Sequence, residues 1–321
     1  MVTVNEGETV KLFNKVQATF WRNGHILGSA YVDVDCFGKR IVFSGDLGRP
    51  VSGLLFPPHD CVRADFLIME STYGDHIHPT ALASNELEKI ILETIEVKGN
   101  LLIPSFAVGR AQELMLLISE LKKSNRIPDI PTYMDSPMGA DATRVFLSHP
   151  SWHKLSPEQC IAFRKDVTVI RRFEESLRVI QEKGSEIVIA ASGMLTCGRA
   201  LYYLQNYVGG SENTILFTGY QAEGTRGRAL LNGAHEVRMH GKYFKVAAKI
   251  KSLSAVSAHA DQKEMIDWMS SLRKAPRKVF LVHGENSARD AFRVKLQSEL
   301  NWVIETPELL AEYELFRVSN K

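Results

Sequence analysis

The chain has 321 residues, 45% of them hydrophobic and 24% charged, which is typical of a globular protein with one large domain or two smaller ones. Its 39 basic and 37 acidic side chains leave a formal net charge of +2, which excludes a global basic field that would attract polyanions. No run of about 18 uncharged apolar residues occurs, so the sequence indicates no membrane role.

Short β-type segments open the chain and helices enter later. Apolar alternation and short apolar runs predict strands at Lys15 to Trp21, Tyr31 to Asp35, Arg40 to Phe43 and Asp65 to Met69. Further on, strands are predicted at Leu101 to Phe106, Glu186 to Ala191, Thr214 to Tyr220 and Lys278 to His283. Helices are predicted at about 81–97, 109–123, 261–272 and 286–298, and Ser148 to Ser156 is predicted to be a loop. The alternation in the middle of the chain indicates a parallel α/β fold.

Polar residues that directly follow apolar strands or sit in glycine-rich turns are the best candidates for a site, because strand ends are where catalytic groups gather. These candidates are His25, Asp46, Glu70, His259 and His283. Imidazole and carboxylate are ligand types that zinc prefers, and the neighbouring glycines let a backbone approach a ligand closely. Each residue alone could be a structural histidine, a helix cap or an ion-pair partner. Together they predict a His/Asp metal site.

The sequence motifs around these residues resemble those of the metallo-β-lactamase superfamily, and within it those of the RNA-processing branch of the β-CASP nucleases. The matching segments are Gly24 to Ala30, Ser44 to Arg49, Glu70 to Gly74, Ile103 to Glu113, Ala191 to Leu195, Thr225 to Arg228 and the words around His259 and His283. The resemblance implies an α/β fold, an αββα sandwich with its N-terminal portion missing and with an inserted parallel α/β domain. It places a partial lactamase core at 1–75, the β-CASP domain at 76–256 and the return of the core at 257–321.

Roles follow from the resemblance residue by residue. His25 would bind one zinc ion, His283 a second, and Asp46 would bridge the two Zn²⁺ of a complete site. His259 paired with Glu70 would donate a proton to the leaving oxygen. A histidine at the position of His283 is what RNA-processing members carry, so the expected substrate is single-stranded RNA.

Contacts to the phosphate chain are expected from residues inside the words of the inserted domain. The candidates are Arg110, Ser105, Ser192, Gly193, Arg199 and Arg226, and Arg228 is a further one. A solvated surface role is the alternative for each single arginine. The sequence leaves open whether cleavage is endonucleolytic or proceeds from the 5′ end in the 3′ direction.

The H-x-H-x-D-H loop, which supplies four metal ligands in this family, does not occur in the sequence. The nearest string is His76-Ile77-His78, but Pro79-Thr80 follows it, and we interpret it as structural or substrate-side. We therefore expect a chain that lacks the N-terminal part of the core, binds zinc weakly and has little nuclease activity. A catalytic zinc site normally has three protein ligands.

Two other readings remain beside the truncated ribonuclease. The first is a non-catalytic RNA-binding or scaffold subunit of the same family, and the second, a hydrolase of small esters, is disfavoured by the inserted domain. The spacing of Cys36, Cys61, Cys160 and Cys197 argues against a disulfide framework and favours a reducing, cytoplasmic setting. The missing strands are expected to leave the core sheet with an uncovered apolar edge, a site of association or aggregation, and a homodimer is one option.

Overall fold

The computed structural model describes residues 3–79 and 82–317, which divide into two compact units. The core unit comprises the chain up to His78 and from Ala258 onward, and the inserted unit comprises Pro79–Ser257. Each unit has its own sheet and its own apolar core. The predicted α/β fold with a second α/β unit inserted into the first is confirmed.

A mixed seven-stranded sheet with the order β1-β2-β3-β4-β5-β14-β15 forms the centre of the core unit. Its strands are β1 (Thr9–Phe13), β2 (Val16–Arg22), β3 (Ala30–Cys36), β4 (Lys39–Phe43), β5 (Phe66–Glu70), β14 (Lys278–Val282) and β15 (Ile304–Glu305). The first four strands pair antiparallel, whereas β4, β5, β14 and β15 run parallel. Two helices belong to this unit, α8 (Gln262–Met269) and α9 (Asn286–Leu300).

One face of this sheet packs against α8 and α9. Leu67 and Leu281 of the sheet share a buried cluster with Met265 of α8 and with Phe292 and Leu296 of α9. The reciprocal capping box between Asp261 and Glu264 fixes the start of α8, because each side chain accepts a hydrogen bond from the other's backbone N–H.

The opposite face of the same sheet is also apolar and is only partly covered. Strand alternation and register place Phe20, Val32, Val34, Ile41, Phe43 and Ile68 on it. Phe316 stacks on Phe66 with ring centroids 6.2 Å apart, so the C-terminal segment shields the β5 side. Phe43 nevertheless remains 44% exposed. We call the six residues Phe20, Val32, Val34, Ile41, Phe43 and Ile68 the open apolar face.

A fully parallel six-stranded sheet with the order β13-β10-β6-β9-β7-β8 forms the centre of the inserted unit. Its strands are β6 (Leu101–Pro104), β7 (Thr132–Asp135), β8 (Thr168–Ile170), β9 (Ile187–Ala190), β10 (Thr214–Phe217) and β13 (Lys249–Ser252), and β11 (Glu236–Met239) and β12 (Lys242–Lys245) form a separate hairpin. Its helices are α1 (Ala83–Glu96), α2 (Arg110–Lys123), α3 (Pro137–Ser148), α4 (Pro157–Lys165), α5 (Phe173–Gln181), α6 (Ala200–Tyr207) and α7 (Arg226–Leu231).

The central strands of the inserted unit are buried along their whole length, as expected for a parallel sheet covered on both faces. In the sheet, β6 lies between β9 and β10. The direction in which the chain adds strands to the sheet therefore reverses at β6. The carboxyl ends of the strands at such a reversal form the usual ligand crevice of an open α/β sheet.

No helix within residues 3–79 and 82–317 is both long and apolar enough to cross a lipid bilayer.

Candidate active site

His25 lies in a tight turn that follows β2. Ser29 closes the turn by donating its hydroxyl to the side chain of Asn23 and, at 2.7 Å, to the carbonyl of Ile26. The turn packs backbone to backbone against the loop after β4, and a Cβ added at Gly48 would lie only 2.0 Å from the carbonyl carbon of Gly24. A glycine at position 48 is therefore required for this approach.

Asp46 lies between two imidazoles in the core unit. Its Oδ2 is 3.7 Å from Nε2 of His25, and its Oδ1 is 3.3 Å from Nδ1 of His283. His25 follows β2, Asp46 follows β4 and His283 follows β14, so three separate strand ends supply the group. The two oxygens of one carboxylate thus face two different nitrogen donors, which is the arrangement that a bridging metal ligand needs.

Glu70 and His259 form a pair beside this group. The carboxylate of Glu70 is 1% exposed and accepts a hydrogen bond from the backbone N–H of Leu47 and another, at 3.1 Å, from Nδ1–H of His259. His259 is held next to Gly48 by an antiparallel bridge, and Ala260 N–H donates to the Leu47 carbonyl at 2.8 Å. The carboxylate orients the imidazole through Nδ1–H. Nε2 of His259 is therefore the ring nitrogen that would exchange a proton with a substrate.

Burial keeps the His25 imidazole neutral. Burial, and after it the nearby His259 ring, whose centroid is 4.3 Å away, lower the pKa of His25 to about 4. A neutral imidazole is the form that binds a metal ion, because its free nitrogen lone pair is the ligand.

The donor set fits a zinc centre by its chemistry. Among the described residues, ligand atoms of His25, Asp46 and His259 lie within 4.8 Å of one another, as do those of Asp46, Glu70 and His283. Imidazole nitrogen and carboxylate oxygen are the donors that zinc takes in catalytic sites. The three ligands predicted from the sequence, His25, Asp46 and His283, are therefore brought together, and their metal-binding role stays a prediction.

In the inserted unit, the carboxyl ends of β6, β9 and β10 bring several candidate residues together. A Cβ at Gly193, after β9, would lie 3.1 Å from the carbonyl carbon of Ser105, after β6. A Cβ at Gly219, after β10, would lie 2.6 Å from a guanidinium nitrogen of Arg110 at the start of α2. The backbone groups of Ser105 and Gly193 and the Arg110 side chain thus lie at the crevice edge of the sheet.

Protein-family models and known proteins match most of this chain. A family model described as the Beta-Casp domain matches residues 111–230, and one described as the Zn-dependent metallo-hydrolase RNA specificity domain matches residues 243–307. An RNase J-like protein of Methanocaldococcus jannaschii is 33% identical over 302 residues, which are 92% of this chain and 70% of that protein. The chain belongs to the metallo-β-lactamase β-CASP family of metal-dependent ribonucleases.

The chain covers a smaller share of two other relatives. Ribonuclease TTHA0252 of Thermus thermophilus is 35% identical over 87% of this chain and 65% of its own length. Transcription termination factor FttA of Methanothermobacter thermautotrophicus is 30% identical over 94% of this chain and 51% of its own length. A solved structure of a protein of unknown function from Enterococcus faecalis V583 superposes with a TM-score of 0.52 over 96% of this chain and 66% of that one, at 10% identity. The chain therefore spans between about half and 70% of these relatives, and the solved structure supports the fold alone.

Two arginines predicted to contact RNA use their guanidinium groups in hydrogen bonds within the inserted unit. Arg199 pairs with the fully buried carboxylate of Asp135 and donates to the Arg171 carbonyl. Arg226 donates to the carbonyls of Leu195 and Thr196 and to that of Arg238. Ser192 likewise uses its hydroxyl within its own loop, where it meets the carbonyl of Cys197 at 3.1 Å. The proposed RNA contacts of these three residues stay predictions.

Sequence reasoning missed the buried partner of Arg199, whereas it interpreted the string that contains His78 as structural or substrate-side. Asp135 receives both Arg199 and, at 2.7 Å, the hydroxyl of Tyr203, and only its place at the end of β7 could have indicated it. His78 is buried and donates Nε2–H to the His259 carbonyl at 3.0 Å. It belongs to none of the candidate metal groups found among the described residues.

Proposed function

We propose that this chain carries part of the catalytic centre of a zinc-dependent RNA phosphodiesterase that acts in RNA processing or decay. The observation that carries the proposal is the Asp46 carboxylate between the imidazoles of His25 and His283, with the Glu70–His259 pair beside it. Membership of the β-CASP ribonuclease family supports the same assignment.

Each residue has a separate task in this proposal. His25 and Asp46 would hold one zinc ion, and Asp46 and His283 a second; bound zinc supplies charge neutralisation and an activated water for in-line attack on phosphorus. His259 donates the proton that the leaving oxygen needs, from Nε2. Glu70 orients the ring by accepting the hydrogen bond from Nδ1–H.

Substrate binding would use the crevice edge of the β-CASP unit. Backbone groups of Ser105, Ser192 and Gly193 and the guanidinium of Arg110 would contact the phosphates of single-stranded RNA, with Arg199 and Arg226 behind them. Contacts of this kind hold the RNA strand without reading its bases. Both endonucleolytic cleavage and 5′ to 3′ degradation fall within the proposal.

Ligand number sets the expected zinc affinity of this chain. Two predicted ligands per metal, with Asp46 counted in both, fall short of the three that catalytic zinc normally has. We propose that the chain alone holds zinc weakly and cleaves RNA slowly. Elemental analysis after dialysis tests this, and two tightly held zinc ions per chain would contradict it.

The same small ligand number favours a second candidate function, a non-catalytic RNA-binding or scaffold subunit. Cleavage of single-stranded RNA labelled at either end, with zinc in excess, separates the two. We expect slow cleavage that Asp46→Asn abolishes and that Asp60→Asn, a change at an exposed carboxylate of the same unit, leaves unaltered. RNA binding by fluorescence anisotropy with equal residual cleavage in all variants would favour the scaffold.

A cytoplasmic setting and a homodimer complete the proposal. Cys36, Cys61, Cys160 and Cys197 are all free thiols, which suits a reducing compartment. The open apolar face supports association of two copies, because an exposed apolar sheet surface gains free energy when it is covered.

A further inference from the structure

His78 is buried directly beside the segment that carries His259. His78 belongs to the core unit and is its last residue before the chain enters the inserted unit. Only 4% of His78 is exposed, whereas its neighbour His76 is exposed. The two histidines of the His76-Ile77-His78 string therefore have different environments.

Two hydrogen bonds tie His78 to the 259–261 segment, more than 180 residues along the chain. The backbone N–H of His78 donates to Oδ2 of Asp261 at 2.8 Å. Nε2 of His78 lies 3.0 Å from the carbonyl oxygen of His259. Since a carbonyl oxygen only accepts, Nε2 must carry the proton, and the tautomer of His78 is fixed.

An aromatic ring packs against the His78 ring. The ring of Tyr73 meets it edge to face with centroids 4.9 Å apart, and the same Tyr73 ring meets His259 at 6.1 Å. Nδ1 of His78 is buried and has no hydrogen-bond partner within residues 3–79 and 82–317. Burial also lowers the pKa of His78, so the ring is neutral at neutral pH. The bond to the His259 carbonyl is therefore the one polar bond of this ring in the described part of the chain.

We propose that His78 is a positioning residue for His259, which it holds through the His259 carbonyl so that Nδ1–H points to Glu70. His259 is also held by the backbone bridge to Gly48, and its ring donates to Glu70. His78 adds hydrogen bonds to this segment at the His259 carbonyl and at the Asp261 carboxylate. The consequence for catalysis rests on the proposed function of His259 as an acid, but the positioning itself does not.

Nuclear magnetic resonance of the imidazole nitrogens tests the positioning in metal-free protein without RNA, so a failure of the proposed ribonuclease function would not affect the result. In the unaltered chain, we expect the His78 pattern of an Nε2–H tautomer and a protected Nδ1–H proton on His259. His78→Leu fills the volume without a donor, and we expect the His259 Nδ1–H to exchange with water roughly tenfold faster.

Two variants serve as controls for this experiment. His78→Gln carries an amide N–H near the place of Nε2–H and should restore slow exchange, and His76→Leu changes the exposed neighbour and should leave the exchange rate unaltered. An Nδ1–H tautomer of His78 in the unaltered chain would overturn the proposal even if His78→Leu did not fold. Equal exchange rates in folded His78→Leu and the unaltered chain would overturn it as well.

Discussion

Nδ1 of His259 lies 3.1 Å from a carboxylate oxygen of Glu70, although 189 residues and the whole inserted unit separate the two in sequence. The pair forms because β5 and the loop before α8 end at the same edge of the core sheet. Glu70 is nearly fully buried, and His259 is its ionisable neighbour. The buried carboxylate fixes the orientation of the imidazole, because it accepts the hydrogen bond from Nδ1–H.

Glu70→Gln should remove most of the acid function of His259. The amide keeps an oxygen for the Leu47 N–H but presents N–H groups to Nδ1, so the imidazolium loses its anion. General acid catalysis contributes roughly 10² to 10⁴ in rate, and we expect a loss in that range in single-turnover cleavage of RNA with excess zinc. Glu305→Gln, which alters a surface pair with Lys278, is the control. A rate equal to that of the unaltered chain would rule out the acid pair.

Changes at Asp46 and His283 should have unequal effects on zinc binding. Because Asp46 faces both imidazoles, Asp46→Asn should weaken both metal positions, whereas His283→Ala should weaken only one. Isothermal titration with Zn²⁺ measures this as the loss of all binding heat in one variant and of part of it in the other. Identical titration curves for the two variants would contradict a bridging role of Asp46.

How far the sequence predicted these groups depends on where their partners lie. The strand that ends in Glu70 and the strands that precede Asp46 and His283 are predicted to within about two residues, since each is a short apolar run followed by polar residues. Sequence patterns assign little of residues 124–185, where the structure has β7 and β8 as well as α3, α4 and α5. Ser136-Pro137 and the capping box of Ser156 with Gln159 mark two of these helix starts, so the signal was present but short.

Other features could not follow from sequence patterns. The predicted loop Ser148 to Ser156 contains a single 3₁₀ turn at Pro150–Trp152, which periodicity does not resolve. The pairing of Arg199 with Asp135 depends on β7 lying between β8 and β9, and therefore on strand order. Strand order is a property of the folded sheet, so no local residue pattern encodes it.

The stability of the inserted unit should depend on pH through Glu186. Burial raises the pKa of Glu186 to about 7, partly offset by the hydrogen bond from the Tyr207 hydroxyl. The protonated form is favoured in the folded state, so its contribution is complete below the ordinary pKa near 4.5 and is lost as pH rises through about 7. The free energy of unfolding should fall by about 3 kcal/mol across that window.

Urea unfolding followed by circular dichroism at several pH values measures this fall. Glu186→Gln removes the titrating group, and we expect the fall to disappear. Tyr207→Phe removes the bond that favours the carboxylate, so the window should move to higher pH. A fall of equal size in Glu186→Gln would assign the pH dependence to another group.

The open apolar face should make the isolated chain associate. Phe43, one of the six residues of this face, is 44% exposed, and replacing it with serine removes apolar area that would be buried between two copies. We expect concentration-dependent dimers by sedimentation velocity, and a weaker dimer for Phe43→Ser. Leu92→Ser changes a residue that is 41% exposed on α1, outside this face, and should leave the dimer unaltered. Monomers at all concentrations would contradict this prediction.

Arg199→Ala should lower the free energy of unfolding, and any loss of RNA affinity should be secondary to that. Its side chain is 14% exposed and pairs with a carboxylate of Asp135 that is 0% exposed, so the alanine would leave a buried charge without its cation. Breaking such a pair costs about 3 to 5 kcal/mol, whereas Arg164→Ala at an exposed helix position should cost less than about 0.5 kcal/mol. Urea unfolding measures both, and RNA binding is compared under conditions where each variant is folded. If Arg199→Ala is as stable as Arg164→Ala but binds RNA less tightly, the arginine is an RNA contact and its pairing with Asp135 is energetically unimportant.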